Sequence, residues 1–185
     1  MTDLTAVIHD LVHVFDNLGL PYAIMGGIAV RAYGIPRPTY DVDFTLAVPR
    51  ERLEELFEAI SNCGYTIPEQ YVRGWVDSVG GMPLVKVRLF LDGRSVDADI
   101  FIVETPFQQE VIGRRIKAEI EGEEVSLVSA EDLILFKVVA GRPRDLLDIQ
   151  DVFFTQGQLD EPYLRHWAAR LGVEKQLDEV LAARE

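Results

Sequence analysis

Along the first twenty residues the apolar positions recur every third or fourth place. Leu4, Val7, Ile8, Leu11, Val12, Phe15 and Leu18 fall on one side of a helix over 3–18, since residues at that spacing share a helical face. Asp3 stands where an N-cap belongs, and Gly19 ends the run. Residues 21–25, "PYAIM", form a short apolar strand that Gly26-Gly27 breaks, and 28–33 return to helical spacing directly on the glycines. The stretch 34–39, "GIPRPT", predicts a loop, because prolines flank Arg37 on both sides. The pattern then switches to period two. Over 41–48, Asp41, Asp43 and Thr45 point one way, while Val42, Phe44, Leu46 and Val48 point the other.

Residues 49–63 read as an amphipathic helix, with Leu53, Leu56, Phe57 and Ile60 on one face. The segment 64–82 mixes aromatics and glycines without either period and predicts a loop over the sheet. Strands over 84–91 and 95–103 surround the turn "LDGRS", a short helix covers 105–112, and a second hairpin over 117–128 turns at Glu121-Gly122. From Ser129 the pattern is helical, with Ser129 and Asp132 spaced as a capping box. The order of elements predicts an α+β fold, a mixed sheet flanked by helices. At 185 residues the chain suits one compact unit, read as an α/β core over 1–128 with a helical segment over 129–185 packed on it. Such a chain buries roughly 70% of its unfolded surface, so its stability needs no disulfide or structural metal; a single cysteine, Cys63, forms no internal bridge.

Charge narrows the range of partners. A net charge of −13 is spread along the chain, which argues against a broad basic surface for duplex nucleic acid. An anionic substrate would need a local basic patch or metal cations against that field. No stretch reaches the roughly 20 apolar residues of a membrane span, and residues 1–20 lack the basic and apolar blocks of a signal peptide. These features predict a cytoplasmic protein with no membrane partner.

The candidate chemistry lies in "MGGIAVRAYGIPRPTYDVDFTL", residues 25–46. Aspartate disfavours strands, yet Asp41 and Asp43 stand on one face of one, roughly 6.5–7 Å apart by strand geometry. Asp97 and Asp99 in "RSVDADIFIV" repeat the arrangement on a later apolar strand. If the two strands are neighbours, their carboxylates converge, and such hard oxygen ligands suit Mg²⁺ or Mn²⁺. Gly26-Gly27, between a strand and a helix, aims free backbone N–H groups at an anion. An anion cradle, a carboxylate pair and a further carboxylate together fit metal-assisted phosphoryl or nucleotidyl transfer.

These pieces resemble the nucleotidyltransferase superfamily of the polymerase-β type. Its pattern of an apolar residue, Gly and Gly or Ser is met by Met25-Gly26-Gly27; a thirteen-residue gap follows, then Asp41-Val42-Asp43-Phe44. Within the superfamily the chain looks like small stand-alone prokaryotic members, the AbiEii-like and minimal nucleotidyltransferases, and the likeness spans roughly residues 20–155. It implies a nucleotidyltransferase-like sheet and transfer of a nucleoside monophosphate from an NTP to a hydroxyl acceptor. That acceptor is a small molecule, a protein or a tRNA end, and the resemblance also admits the toxin component of a toxin–antitoxin pair with a partner protein. A catalytically silent relative that binds nucleotide, metal or protein is the alternative. By resemblance Asp41, Asp43 and Asp99 are catalytic and hold the metal, with Asp97 as the alternative third acid. Gly26, Gly27, Arg37, Thr39 and Lys137 would bind the nucleotide, Arg37 having a solvated loop charge as its competing reading. Arg142, Asp145 and Asp148 read instead as helix-tying ion pairs.

The remaining polar and aromatic residues carry less. His9 and His13 sit four apart on the first helix, but Asp10 and Asp16 fall off their stripe, so they read as exposed helix residues without a third ligand. Tyr71 and Trp75 are candidates to stack on a base or merely to pack.

Overall fold

A computed structural model describes residues 3–183 apart from Asp92 and Glu121, with Asp3 and Leu91 described in backbone only. The expected Asp3 cap, and the Asp92 and Glu121 positions of the two turns, therefore lie outside the described residues. The chain runs through α1 (Asp3–Asn17), β1 (Tyr22–Met25), α2 (Gly26–Tyr33), β2 (Asp41–Leu46) and α3 (Leu53–Asn62). It continues through β3 (Tyr65–Thr66), α4 (Glu69–Val72), β4 (Asp77–Val79), β5 (Met82–Leu91) and β6 (Arg94–Ile102). Next come α5 (Pro106–Arg114), β7 (Ile116–Ile120) and β8 (Glu123–Leu127). The helices α6 (Ala130–Ala140), α7 (Pro143–Thr155), α8 (Glu161–Leu171) and α9 (Glu174–Ala182) complete it.

The strands form one mixed sheet in the order β3-β5-β6-β2-β1-β8-β7, with β4 added on β5. The pair β2–β6 is parallel, as is β1–β8, and the hairpins β5–β6 and β7–β8 are antiparallel. Period two decides which side chains meet which helices. Val42, Phe44 and Leu46 of β2, with Ala98, Ile100 and Ile102 of β6, point into a core closed by α1 and α3. The opposite face is covered by α2, α5 and α6, where Phe101 packs with Phe107, Leu133 and Phe136 and the last helices follow behind. Helices thus flank the sheet on both sides, and the aspartates at the alternate positions of β2 and β6 belong to the face under α2 and α6.

The segment 64–82 is more ordered than its pattern predicts. In place of a loop it forms β3 and β4, which pair with opposite ends of the ten-residue β5, and the one-turn α4 between them. Strands of two and three residues are too short to show a period. What holds the segment is tertiary, the burial of Tyr71 in the core closed by α1 and α3, while its hydroxyl donates within the segment to Asp77 at 2.6 Å. No helix among the described residues is long and apolar enough to cross a membrane.

Candidate active site

Strand pairing assembles the carboxylates. In the parallel register of β2 and β6, Asp41 lies opposite Asp97 and Asp43 opposite Asp99. All four point to one face, because each pair is two residues apart on its strand. They then part company. Asp97 is taken by a two-pronged pair with Arg88 of β5, at 2.5 and 2.8 Å, which holds its carboxyl below the usual range. Asp99 accepts from Lys86 Nζ at 2.5 Å and lines a cleft of about 320 Å³ together with Asp43 and Gly26. The register therefore brings Asp99, and not Asp97, into the cleft beside Asp43.

Both glycines are required by contact. Gly26 has φ +63°, and a Cβ there would lie 1.8 Å from Asp43 Oδ2. A Cβ on Gly27 would lie 2.5 Å from Thr39 Oγ1. Thr39 is itself buried and donates to Asp41 Oδ1 at 2.9 Å. The double glycine lets the start of α2 press against the head of β2, with Gly26 seated on Asp43 and Gly27 on the threonine that bonds Asp41.

Asp43 is pushed up to about 7, first by burial, then by the charges of Asp41 and Asp99; Lys137 and Arg142 pull it back only in part. A buried carboxylate pressed by two like charges, with hard oxygen donors around it, fits a divalent ion such as Mg²⁺ or Mn²⁺. The donors available to it are Asp41, Asp43 and Asp99.

The cations expected at the nucleotide stand in a shared network. Arg37 donates through Nε and Nη2 to Asp148 at 2.6 and 2.7 Å. Lys137, buried on α6, donates to Asp148 at 2.5 Å and to Asp145 at 3.0 Å. Arg142 closes the chain onto Asp145 at 2.8 Å. Burial raises the carboxyls of Asp145 and Asp148, but bonds and charge from the three cations outweigh it and leave both below the usual range. Asp145 and Asp148 do tie elements together: α6, α7 and the loop before β2 meet there. Lys137 also reaches the cleft wall, whereas Arg37 lies outside it.

Two features of the cleft have weak sequence signals. Arg142, largely exposed, lines its mouth, although its sequence reading is that of a helix-tying ion pair alone. The β4–β5 turn supplies Val79 and Met82 to an apolar wall shared with Leu133 and Phe136. Tyr71 and Trp75 both donate to Asp77, and neither lines the cleft.

The fold is shared with solved nucleotidyltransferases. The antibiotic-resistance factor ANT(2'')-Ia matches over 97% of this chain and 99% of its own, at 19% identity and TM-score 0.61. An antigenic nucleotidyltransferase-like protein from Paracoccidioides brasiliensis matches over 98% and 93%, at 22% identity and TM-score 0.54. The lincosamide antibiotic adenylyltransferase LnuA matches over 84% and 99%, at 14% identity and TM-score 0.54. No curated protein matches the chain. The profile of a family described as nucleotidyltransferase of unknown function (DUF6036) spans residues 2–179. A sequence match over nearly the whole length, on a shared fold, makes this chain a member of that nucleotidyltransferase family.

Proposed function

We propose that the protein transfers a nucleoside monophosphate from a nucleoside triphosphate to a hydroxyl of a small-molecule acceptor, with Mg²⁺ or Mn²⁺ held by Asp41, Asp43 and Asp99. The observation that carries this reading is the β2–β6 register, which sets Asp43 against Asp99 on the wall of a cleft that begins at Gly26. A divalent ion at these carboxylates supplies electrostatic stabilisation of phosphoryl oxygens and eases loss of the acceptor's proton. The backbone N–H groups of Gly26 and Gly27 receive the triphosphate at the start of α2. Asp99 takes the proton of the acceptor hydroxyl on a carboxylate oxygen. The acceptor oxygen bonds to the α-phosphorus as the bond to the bridging oxygen breaks, and pyrophosphate leaves. Arg142 at the cleft mouth offsets the charge of the departing group. Lys137 and Arg37 act on this chemistry by position, fixing α6 and the loop that carries Thr39.

A small acceptor suits the size of the cleft and the net charge of −13, which disfavours a broad nucleic-acid surface. The structural neighbours agree in kind: ANT(2'')-Ia was solved with adenylyl-2''-tobramycin and LnuA with lincomycin. A second reading rests on Lys86, whose ammonium already pairs with Asp99. A chain that binds nucleotide without turning it over would keep that pair closed.

Calorimetry with each of the four NTPs, with and without Mg²⁺, tests the proposal on the wild type and on Asp41→Asn/Asp43→Asn. Binding that requires Mg²⁺ and is lost in the variant is the expected result. Absence of binding to every NTP would sink the enzymatic reading. Nucleotide binding with no pyrophosphate release across a panel of hydroxyl acceptors would favour the silent one.

A further inference from the structure

On the far face of the sheet from the aspartates, α1 carries His9 and His13 one turn apart, their rings meeting edge to face with centroids 4.4 Å apart. Among the described residues, no acid of α1 completes that pair. The fold brings one from elsewhere: Glu123, the first residue of β8, places Oε1 3.6 Å from His13 Nε2. One donor atom from each of His9, His13 and Glu123 lies within 4.8 Å of the others. Asp10 contacts Nδ1 of His9 at 3.4 Å, a carboxylate–histidine pairing that metal sites use to orient the ring and leave Nε2 for the ion.

We propose that His9, His13 and Glu123 form a surface site for a borderline divalent ion of the Zn²⁺ type, separate from the carboxylate cleft. Two imidazoles and one carboxylate are a donor set that favours Zn²⁺ over Mg²⁺ or Ca²⁺. Zinc bonds of about 2.0–2.1 Å put tetrahedral donors roughly 3.3–3.5 Å apart. The His13–Glu123 separation is already close to this. His9 closes the remaining distance by rotation of an exposed side chain, which is half open to solvent. Solvent completes the coordination. An ion held there joins α1 to the β7–β8 hairpin, two elements far apart in sequence, so it stabilises the folded chain as any ligand specific for the native state does.

The test titrates ZnCl₂ into the tag-free, chelator-treated protein in millimolar Mg²⁺, which occupies hard oxygen sites and competes poorly for imidazole. Calorimetry and the ring resonances of the three histidines are read together, with His166 as the internal reference. The expected result is one Zn²⁺ per chain, movement of the His9 and His13 signals with His166 unmoved, and a raised Tm. Affinity falls at least about tenfold in His9→Ala and in His13→Ala, since losing a direct ligand costs at least as much as losing a supporting partner, and less in Glu123→Gln, whose amide oxygen remains a weaker donor. The two imidazoles are exposed, so their removal leaves the fold intact and circular dichroism serves as the check. A Zn²⁺ isotherm unchanged in His9→Ala/His13→Ala would overturn the proposal, as would a wild type that binds no Zn²⁺ in Mg²⁺ buffer.

Discussion

Asp43 answers two opposing demands: it must sit deep enough to face Gly26 and Asp99, and depth penalises its charge. Burial and two neighbouring carboxylates push it up to about 7, against about 3.8 for a free aspartate. A group raised in the folded state contributes stability in full below the unfolded value and loses that contribution as pH climbs through the folded one. Wild type therefore sheds stability between about pH 4 and 7, a loss that asparagine at the same place does not share. In metal-free buffer Asp43→Asn should exceed the wild type by about 1–3 kcal/mol above pH 7, a discounted share of the roughly 1.4 kcal/mol per pH unit that linkage allows. Urea unfolding across pH 4–8 measures it, and a gap that stays constant with pH contradicts the assignment. Asp145 and Asp148 shift the other way, so their contributions are lost only as pH falls below the ordinary carboxylate range and do not enter this window. Added Mg²⁺ should reverse the order by stabilising the wild type alone.

Among elements, the informative contact is the tie between the loop before β2 and the paired helices α6 and α7. Asp148 receives both Arg37 and Lys137, and Asp145 receives Lys137 and Arg142. Lys137→Met removes the cation shared by two buried carboxylates and leaves each with one arginine, so the loss should fall short of the roughly 3–5 kcal/mol of a fully stranded buried charge. Chemical denaturation should show that loss. Full stability with weakened nucleotide binding alone would instead mark Lys137 as a direct phosphate contact. This network also shows what a sequence displays and what it hides. Period two in "DVDF" and "VDADIF" and the double glycine ahead of the first are local patterns, so both strands and the shared face of their aspartates are legible along the chain itself. The choice between Asp97 and Asp99 depends on β5, which sends Arg88 to one and Lys86 to the other. Arg37 is 111 residues from its partner Asp148, and Glu123 reaches His13 only once β8 lies alongside β1. Pairings of that range leave no periodic trace. Nor do two- and three-residue strands such as β3 and β4, which exist because β5 offers them an edge.

At the scale of the whole molecule, a net charge of −13 surrounds a cleft meant, on the proposed reading, for a polyanion. Near contacts and distant field then act in opposite directions. On that reading Arg142 and the backbone N–H groups of the glycines act on the phosphates at short range, where salt screens little. The excess carboxylates spread over the surface act mostly beyond the Debye length of about 10 Å at 0.1 M salt, so salt removes their repulsion first. Association of a magnesium nucleotide should accordingly speed up, severalfold, as ionic strength rises from about 0.01 to about 0.15 M. A cationic acceptor, drawn by the same field, should associate more slowly over that range. Stopped-flow rates at several salt concentrations decide the matter. Nucleotide association that slows with salt would mean that a basic funnel dominates encounter, and the charge distribution would have to be read again from the cleft outward. The expected pair of opposite slopes would show instead that the protein admits its nucleotide through local cations against its own field, and uses that field to gather a positively charged acceptor.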